Sequence, residues 1–151
     1  MRMFYDQHGP IGPGIDYDKK IVWTNGCFDV LHRGHIELFK YAKSLGDKLY
    51  VGINEDDMVT KDKGKGRPIN KLDDRKFMLE SIKYIDEVFI FDSSTTLERH
   101  IRNISPDIMV IGSDWKDKAV VGQQHTKKLM FFDRIEGYST TEILNGRPIS
   151  I

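Results

Sequence analysis

Short apolar segments of β type alternate with segments of helical periodicity along most of this 151-residue chain, and this alternation constrains the fold most strongly. The spacing of apolar residues predicts helices over 34–45, 72–83 and 95–104, and a short helix from Thr140. Such alternation is typical of βαβ crossovers, so we predict an α/β, Rossmann-like three-layer fold with a five-stranded, mainly parallel sheet. The five predicted strands are KIVWTN (20–25), KLYVGIN (48–54), EVFIF (87–91), DIMVI (107–111) and KLMFF (128–132).

The first 18 residues have no such periodicity. They contain the stretch GPIGPG, which is typical of extended chain, and we predict an N-terminal arm over 1–18. The remaining residues, 19–151, are enough for one hydrophobic core, and we predict a single domain.

Composition narrows the choice of partners and compartment. Lys plus Arg equal Asp plus Glu at 23 each, which argues against a nucleic-acid partner because such proteins are usually basic. The apolar runs are far shorter than the roughly 20 residues that span a bilayer, and the start of the chain lacks the pattern of a secretion signal. With Cys27 as its single cysteine, the chain has no disulfide framework. We expect a soluble, cytoplasmic protein with no membrane partner.

The segment NGCFDVLHRGH (25–35) joins the first predicted strand to the first predicted helix. A helix N-terminus has unpaired N–H groups and attracts anions, and His32 and His35 on either side of Gly34 can donate to phosphate oxygens. Asp29 could orient a histidine or cap the turn. On its own, a histidine pair is also compatible with a surface or helix-capping role.

Three more segments follow carboxyl ends of predicted strands, where parallel sheets bind ligands. RIEGYSTTEI (134–143) places hydroxyls at a helix start, which suits either phosphate oxygens or a plain N-cap. GSDW (112–115) offers a carboxylate and a flat ring for a nucleoside, although a turn with a core tryptophan is the alternative. The stretch 55–74 reads as a mobile loop whose lysines and arginine either face solvent or stabilise phosphates.

Together these segments resemble the cytidylyltransferase-like nucleotidyltransferases, over roughly residues 20–144. H-R-G-H resembles the H-x-G-H signature of that family, and RIEGYSTT and GSDW resemble elements of glycerol-phosphate cytidylyltransferases. RKFMLESIKYIDEV (75–88) also resembles a helix of those enzymes, with Lys83 replacing an arginine. KGKGRPINKLDDR (63–75) and VVG (120–122) instead resemble heptose-1-phosphate adenylyltransferases.

The resemblance implies a site with three groups of residues. The catalytic residues would be His32, His35, Lys61, Lys63 and Arg134. The acceptor would be bound by Asp29, Lys63, Arg67 and Lys83. The nucleotide would be bound by Gly26, Cys27, Phe28, Gly34, Arg75, Gly112, Asp114, Trp115, Glu136, Gly137, Ser139, Thr140 and Thr141.

The resemblance further implies an enzyme, usually a homodimer, in which an acceptor phosphate attacks the α-phosphorus of a nucleoside triphosphate and pyrophosphate leaves. Mg²⁺ would arrive with the triphosphate, since no carboxylate cluster suggests a dedicated metal site. We expect CMP transfer from CTP to a phosphorylated polyol or sugar similar to glycerol 3-phosphate. ATP-dependent transfer to a heptose 1-phosphate is the alternative. A non-catalytic nucleotide-binding module and a coenzyme-forming adenylyltransferase are more remote readings.

Overall fold

A computed structural model describes residues 5–6, 9–10, 19–135 and 137–145 of the chain. Most of the predicted arm, 1–18, therefore lies outside the described residues, as do Glu136 and 146–151. Within the arm, Tyr5–Asp6 and Gly9–Pro10 pair as two short antiparallel strands.

The main sheet has five strands, all parallel, which confirms the predicted α/β fold. The strands are β1 (Ile21–Gly26), β2 (Lys48–Asn54), β3 (Glu87–Phe91), β4 (Ile108–Gly112) and β5 (Lys128–Phe132). They lie in the order β3-β2-β1-β4-β5. The chain therefore reverses its direction of progress through the sheet between β1 and β4, and ligands of such sheets bind beyond the strand ends at that point.

Helices cover both faces of this sheet. They are α1 (Arg33–Ser44), α2 (Asp56–Lys63), α3 (Leu72–Glu80), α4 (Ser94–Ile104) and α5 (Thr140–Leu144), with short 3₁₀ turns at Ser113–Trp115 and Gln123–His125. No helix among the described residues has the length and apolar character to cross a membrane.

Alternate residues of the central strands separate the core into two layers. Val22 and Val51 face Phe39 of α1 and Leu79 of α3 in one cluster. Trp23 and Met109 face α4 in the other, where Leu97, Ile101 and Ile104 are buried. Because both faces are covered, β1 and β2 are apolar almost throughout, which is why the sequence identified them.

Two predicted boundaries are wrong. The stretch 55–74 is not a loop throughout, because α2 occupies Asp56–Lys63. Its highly charged composition concealed a helix of which Val59 is the buried residue. The helix predicted over 72–83 ends at Glu80, because the chain turns there and brings Ile82 and Ile85 into the core.

Candidate active site

The site is built where β1, β4 and β5 end. Gly26 is the last residue of β1, and residues 27–32 lead from it into α1. Phe28 in this turn has a left-handed backbone, with φ 46°. Its ring makes edge contacts with Phe39 of the core, at 5.0 Å between centroids, and with His35, at 5.3 Å. The core thus fixes a turn whose strained conformation costs about 1–3 kcal/mol.

His32 and His35 lie face to face at the start of α1. Their ring centroids are 3.8 Å apart with 22° between the planes, and the backbone N–H of His32 donates to Nδ1 of His35 over 3.3 Å. Because Nδ1 accepts this bond, the proton of a neutral His35 is on Nε2. His35 is therefore a donor of fixed tautomer, suited to a phosphate oxygen.

Both histidines are kept neutral by their surroundings. Burial, with the neighbouring His32, lowers the pKa of His35 to about 3. Burial also lowers the pKa of His32, and the positive charge of Arg134 adds to the effect. A neutral imidazole still donates a hydrogen bond, and an anionic ligand would stabilise a charged form.

Buried Nδ1 of His32 has no hydrogen-bond partner among the described residues. Gly34 explains how this ring can lie so close to the backbone. A Cβ at position 34 would stand 2.9 Å from Cε1 of His32 and 3.3 Å from Cβ of Tyr138. Glycine is thus required at position 34 for the close approach of two chain segments, one from each sequence motif.

The second motif lies directly against the first. Thr140, the first residue of α5, donates its hydroxyl to the carbonyl of Val30 over 2.8 Å. The ring of Tyr138 stacks on His32, with 6.3 Å between the centroids. Two segments about a hundred residues apart in sequence therefore meet, as predicted, around the histidine pair.

The remaining predicted residues of this motif differ in exposure. Arg134 and Thr141 are exposed, and Ser139 is half-buried. Gly137 has a left-handed backbone, with φ 90°. Glu136 lies outside the described residues.

The turn after β4 presents an open surface. Asp114 is exposed and the side chain of Trp115 is 49% exposed. Within the described part of the chain, and apart from the two adjacent residues, no heavy atom lies within 4 Å of a Cβ built on Gly112. Trp115 is thus not the core tryptophan that a plain turn would suggest. A flat nucleobase has access to it.

Lys61 and Lys63 lie in the last turn of α2 and are exposed, as is Lys65 beyond it. They follow β2 at the same edge of the sheet as the histidines. Their ammonium groups are available to an anion.

Asp29 and Arg67, predicted to bind the acceptor, are instead bonded to each other. The buried Asp29 carboxylate accepts from Nε of Arg67 over 2.7 Å, and from the backbone N–H groups of Ile69 and Asn70 over 2.7 and 2.8 Å. Burial raises the pKa of Asp29, but these three donors outweigh it and hold that pKa below its usual range. Both carboxylate oxygens already accept hydrogen bonds from the protein, which favours a structural role for Asp29. A contact between Asp29 and the acceptor stays a prediction.

Arg75, predicted to bind the nucleotide, is 1% exposed and structural. Its guanidinium donates to the carbonyls of Asn70 and Cys27 and to the carboxylate of Asp56, over 3.1, 2.9 and 2.7 Å. Cys27 is half-buried and contributes its carbonyl to this arrangement. Its burial and its three acceptors favour a structural role for Arg75, and a contact with the nucleotide stays a prediction.

Lys83, predicted to bind the acceptor, lies away from the histidines. It lies between the end of α3 and the start of β3, and so at the amino-terminal edge of the sheet, opposite the histidines. Its ammonium lies 5.2 Å from the ring centroid of Tyr84. A helix antiparallel to the strands necessarily ends at that opposite edge.

Asn54, a polar residue at the edge of the sheet where ligands bind, was not predicted from the sequence. Asn54 ends β2 and is 7% exposed, and its Oδ1 has no partner within the described ranges. A polar residue that ends an apolar strand, at the edge where ligands bind, was the signal that could have identified it.

The sequence that forms this site also matches a family model. Residues 23–146 match the model described as cytidylyltransferase-like. The chain belongs to the cytidylyltransferase-like family. This confirms the family and the nucleotidyltransferase class that the motifs predicted.

Curated relatives in this family share nearly half of their aligned residues with the chain. The Bifunctional protein HldE of Campylobacter concisus is 48% identical over 83% of this chain, and that of Helicobacter hepaticus is 47% identical over 85%. The Campylobacter jejuni subsp. doylei protein of the same name is 50% identical over 84%. The matches span 26% or 27% of these relatives, so the chain corresponds to about a quarter of their length.

Solved structures support the fold. A lipopolysaccharide core biosynthesis protein from Thermoplasma volcanium superposes with a TM-score of 0.65 at 22% identity, covering 78% of this chain and 99% of that one. A pantoate-beta-alanine ligase from Francisella tularensis superposes with a TM-score of 0.59 at 15% identity, covering 89% and 71%. Both likenesses concern the Rossmann-like fold of the family.

Proposed function

We propose that this domain transfers AMP from ATP to the phosphate of a heptose 1-phosphate, with release of pyrophosphate. The observation that carries this choice is the 47–50% identity to proteins named HldE, which combine a heptose-7-phosphate kinase with a heptose-1-phosphate adenylyltransferase. This reverses the preference drawn from sequence, where the 112–115 and 134–143 elements favoured CTP. The KGKGRPIN and VVG segments, which favoured the heptose enzymes, agree with it.

The histidine pair would bind the triphosphate at its α- and β-phosphates. Nε2–H of His35 is oriented for this by the bond that Nδ1 accepts from His32. The first N–H groups of α1 add the partial positive charge of a helix start. Ser139 and the backbone N–H of Thr140 at the start of α5 would bind the β- and γ-phosphates, because the hydroxyl of Thr140 is donated to Val30. Arg134 would neutralise charge that develops on pyrophosphate.

The acceptor's own phosphate oxygen would attack the α-phosphorus in line with the leaving pyrophosphate. The bond to the acceptor forms as the bond between the α- and β-phosphates breaks, without a protein nucleophile. Lys61 and Lys63 would hold the acceptor phosphate near the triphosphate despite the repulsion between the two anions. Catalysis is then positioning and charge stabilisation, as in phosphoryl transfer generally.

Mg²⁺ would be part of the substrate, as the complex with the triphosphate. Among the described residues, no group of three or more His, Cys, Asp and Glu side chains could hold a metal ion. The residues proposed to face the phosphates are accordingly hydrogen-bond donors and cations. They complement a triphosphate whose charge a bound Mg²⁺ only partly neutralises.

CMP transfer from CTP to glycerol 3-phosphate is the second candidate. The exposed Trp115 beside Asp114 favours it, because the GSDW turn resembles that of the cytidylyltransferases. A homodimer, a cytoplasmic location and the absence of nucleic-acid partners stay predictions of the sequence.

Pyrophosphate release from a grid of substrates tests the proposal. ATP and CTP are each combined with heptose 1-phosphate and with glycerol 3-phosphate, in the presence of Mg²⁺. Turnover confined to ATP with the heptose supports it, and turnover confined to CTP with glycerol 3-phosphate replaces it with the second candidate. Nucleotide binding without turnover in every combination would indicate the non-catalytic module.

A further inference from the structure

Residues 56–70 carry the exposed lysines, and we call them the basic segment. The segment contains α2 and the glycine-rich turn after it, including Lys61, Lys63 and Lys65. Gly64 and Gly66 have φ of 100° and 93°. A Cβ at either position would meet no heavy atom of the described residues within 4 Å, apart from the adjacent residues. The middle of the segment thus projects into open space.

The start of the basic segment is linked through Arg75 to the turn that follows β1. Asp56 accepts from the fully buried guanidinium of Arg75, which also donates to the carbonyl of Cys27. The third acceptor of Arg75 is the carbonyl of Asn70, at the other end of the same segment. One buried cation therefore joins both ends of the segment to residue 27.

The end of the segment is bonded to the same turn, two residues further on. Asp29 accepts from Arg67, Ile69 and Asn70, and its backbone carbonyl accepts from Nδ2 of Asn70 over 2.8 Å. The side chain of Asp29 is 0% exposed and that of Arg67 is 13% exposed. Four hydrogen bonds thus fix this end at a point three residues before His32.

We propose that Asp29 is a positioning residue for the acceptor: it fixes the basic segment against the histidine turn, so that Lys61 and Lys63 are placed for catalysis before any substrate binds. A buried carboxylate holds its donors firmly, because hydrogen bonds to a charged acceptor are strong. A donor that moved away would also be left unpaired in the interior, which costs free energy. Asp29 thereby acts on the acceptor through the lysines, without touching it. This role rests on the proposed function of the two lysines.

Asp86 provides a matched control. Its carboxylate also accepts from a backbone N–H, that of Leu49, and from a cation, Lys43. It lies just before β3, at the amino-terminal edge of the sheet, away from the site. Asp86→Asn therefore removes a comparable bond without a path to the lysines.

The test is a double-mutant cycle with Asp29→Asn, Lys63→Ala and the double variant, together with Asp86→Asn. In the wild-type background, Lys63→Ala is expected to lower kcat/KM for the acceptor about 100-fold. In the Asp29→Asn background, adding Lys63→Ala should lower kcat/KM by less than about 10-fold, because the lysine is already displaced. Asp29→Asn alone should reduce kcat/KM for the acceptor at least about 10-fold and change nucleotide affinity less than about 2-fold. Asp86→Asn should change neither.

Amide hydrogen exchange in 61–66, measured without substrates, separates this inference from the proposed function. Exchange should accelerate in Asp29→Asn and not in Asp86→Asn, whichever nucleotide and acceptor the protein uses. Equal exchange in the two variants, or full multiplication of the Asp29 and Lys63 effects, would overturn the inference. If Asp29→Asn does not fold, Arg67→Lys takes its place, because it keeps the charge and shortens the reach to Asp29.

Discussion

Nδ1 of His35 accepts a hydrogen bond from the backbone N–H of His32, and this bond fixes which nitrogen of His35 faces a ligand. The two rings are stacked, so the bond also fixes their relative orientation. A pair of residues that a sequence motif marks as functional is therefore also a structural unit. Its two roles can be separated by substitution.

Replacing His35 by asparagine or by alanine separates its role toward a ligand from its role in the structure. The oxygen of asparagine can take the place of Nδ1, whereas its short side chain cannot replace Nε2–H. We expect His35→Asn and His35→Ala both to lower kcat by about 100-fold or more, as loss of a transition-state donor does. Near-normal turnover in either variant would contradict the assignment. The melting temperature of His35→Asn should lie closer to that of the wild type than the melting temperature of His35→Ala does, because in His35→Asn the N–H of His32 keeps its acceptor.

The low pKa of His35 has a consequence for stability. The folded pKa of about 3 lies below the unfolded value of 6.5, so the unfolded chain takes up the proton first as pH falls. This contribution to stability is fully present above pH 6.5 and declines below it, by at most about 1.4 kcal/mol per pH unit. Urea unfolding across this range should show a steeper decline in wild type than in His35→Asn. Equal slopes would mean that His35 titrates normally.

Gly34→Ala should disturb the site more than the fold. The new Cβ would lie 2.9 Å from the ring of His32, which must move. Gly46→Ala is the control, because its Cβ would lie 2.8 Å from the carbonyl oxygen of Lys20 at the opposite edge of the sheet. We expect a loss of stability on the order of 1–3 kcal/mol in both, and a loss of turnover only in Gly34→Ala. The measurements are chemical unfolding and pyrophosphate release.

How far the sequence predicts the structure depends on where each residue's partners lie. The strands were predicted well because buried parallel strands are apolar regardless of their neighbours. The histidine turn was predicted because its residues are consecutive. The hydrogen bonds of Asp29 were not predicted, because its partners Ile69 and Asn70 lie about 40 residues away and donate through the backbone, which no residue type reveals.

The missed helix has a related explanation. α2 has a charged sequence with one buried residue, Val59, and local preference alone does not select a helix there. It is stabilised by the contact of Asp56 with Arg75, which lies 19 residues further on. Lys83 was placed at the site from the resemblance of its segment, although the predicted parallel sheet already implies that the helix before β3 ends at the opposite edge.

The bond between Thr140 and Val30 gives a prediction about the second motif. Thr140→Val keeps the shape of the side chain and removes the hydroxyl, so the carbonyl of Val30 loses its donor. We expect a cost of about 1 kcal/mol in stability and a clear rise in KM for the nucleotide, because α5 loses its attachment to the histidine turn. Thr126→Val, which removes a bond to the carbonyl of Pro106, should lose similar stability without a rise in KM. Equal KM values in the two variants would contradict a role for this bond in binding.

Trp115 provides a direct reading of nucleotide binding. The chain has two tryptophans, and Trp23 is 0% exposed whereas Trp115 is 49% exposed. A base that stacks on Trp115 should quench its fluorescence, and Trp115→Phe should abolish that signal while keeping an aromatic surface.

Titration with ATP and with CTP, each with Mg²⁺, then compares the two affinities without any acceptor. Tighter binding of ATP would support adenylyl transfer, and tighter binding of CTP would favour the second candidate. Saturable nucleotide binding by calorimetry without quenching would place the base away from Trp115 and refute its assignment.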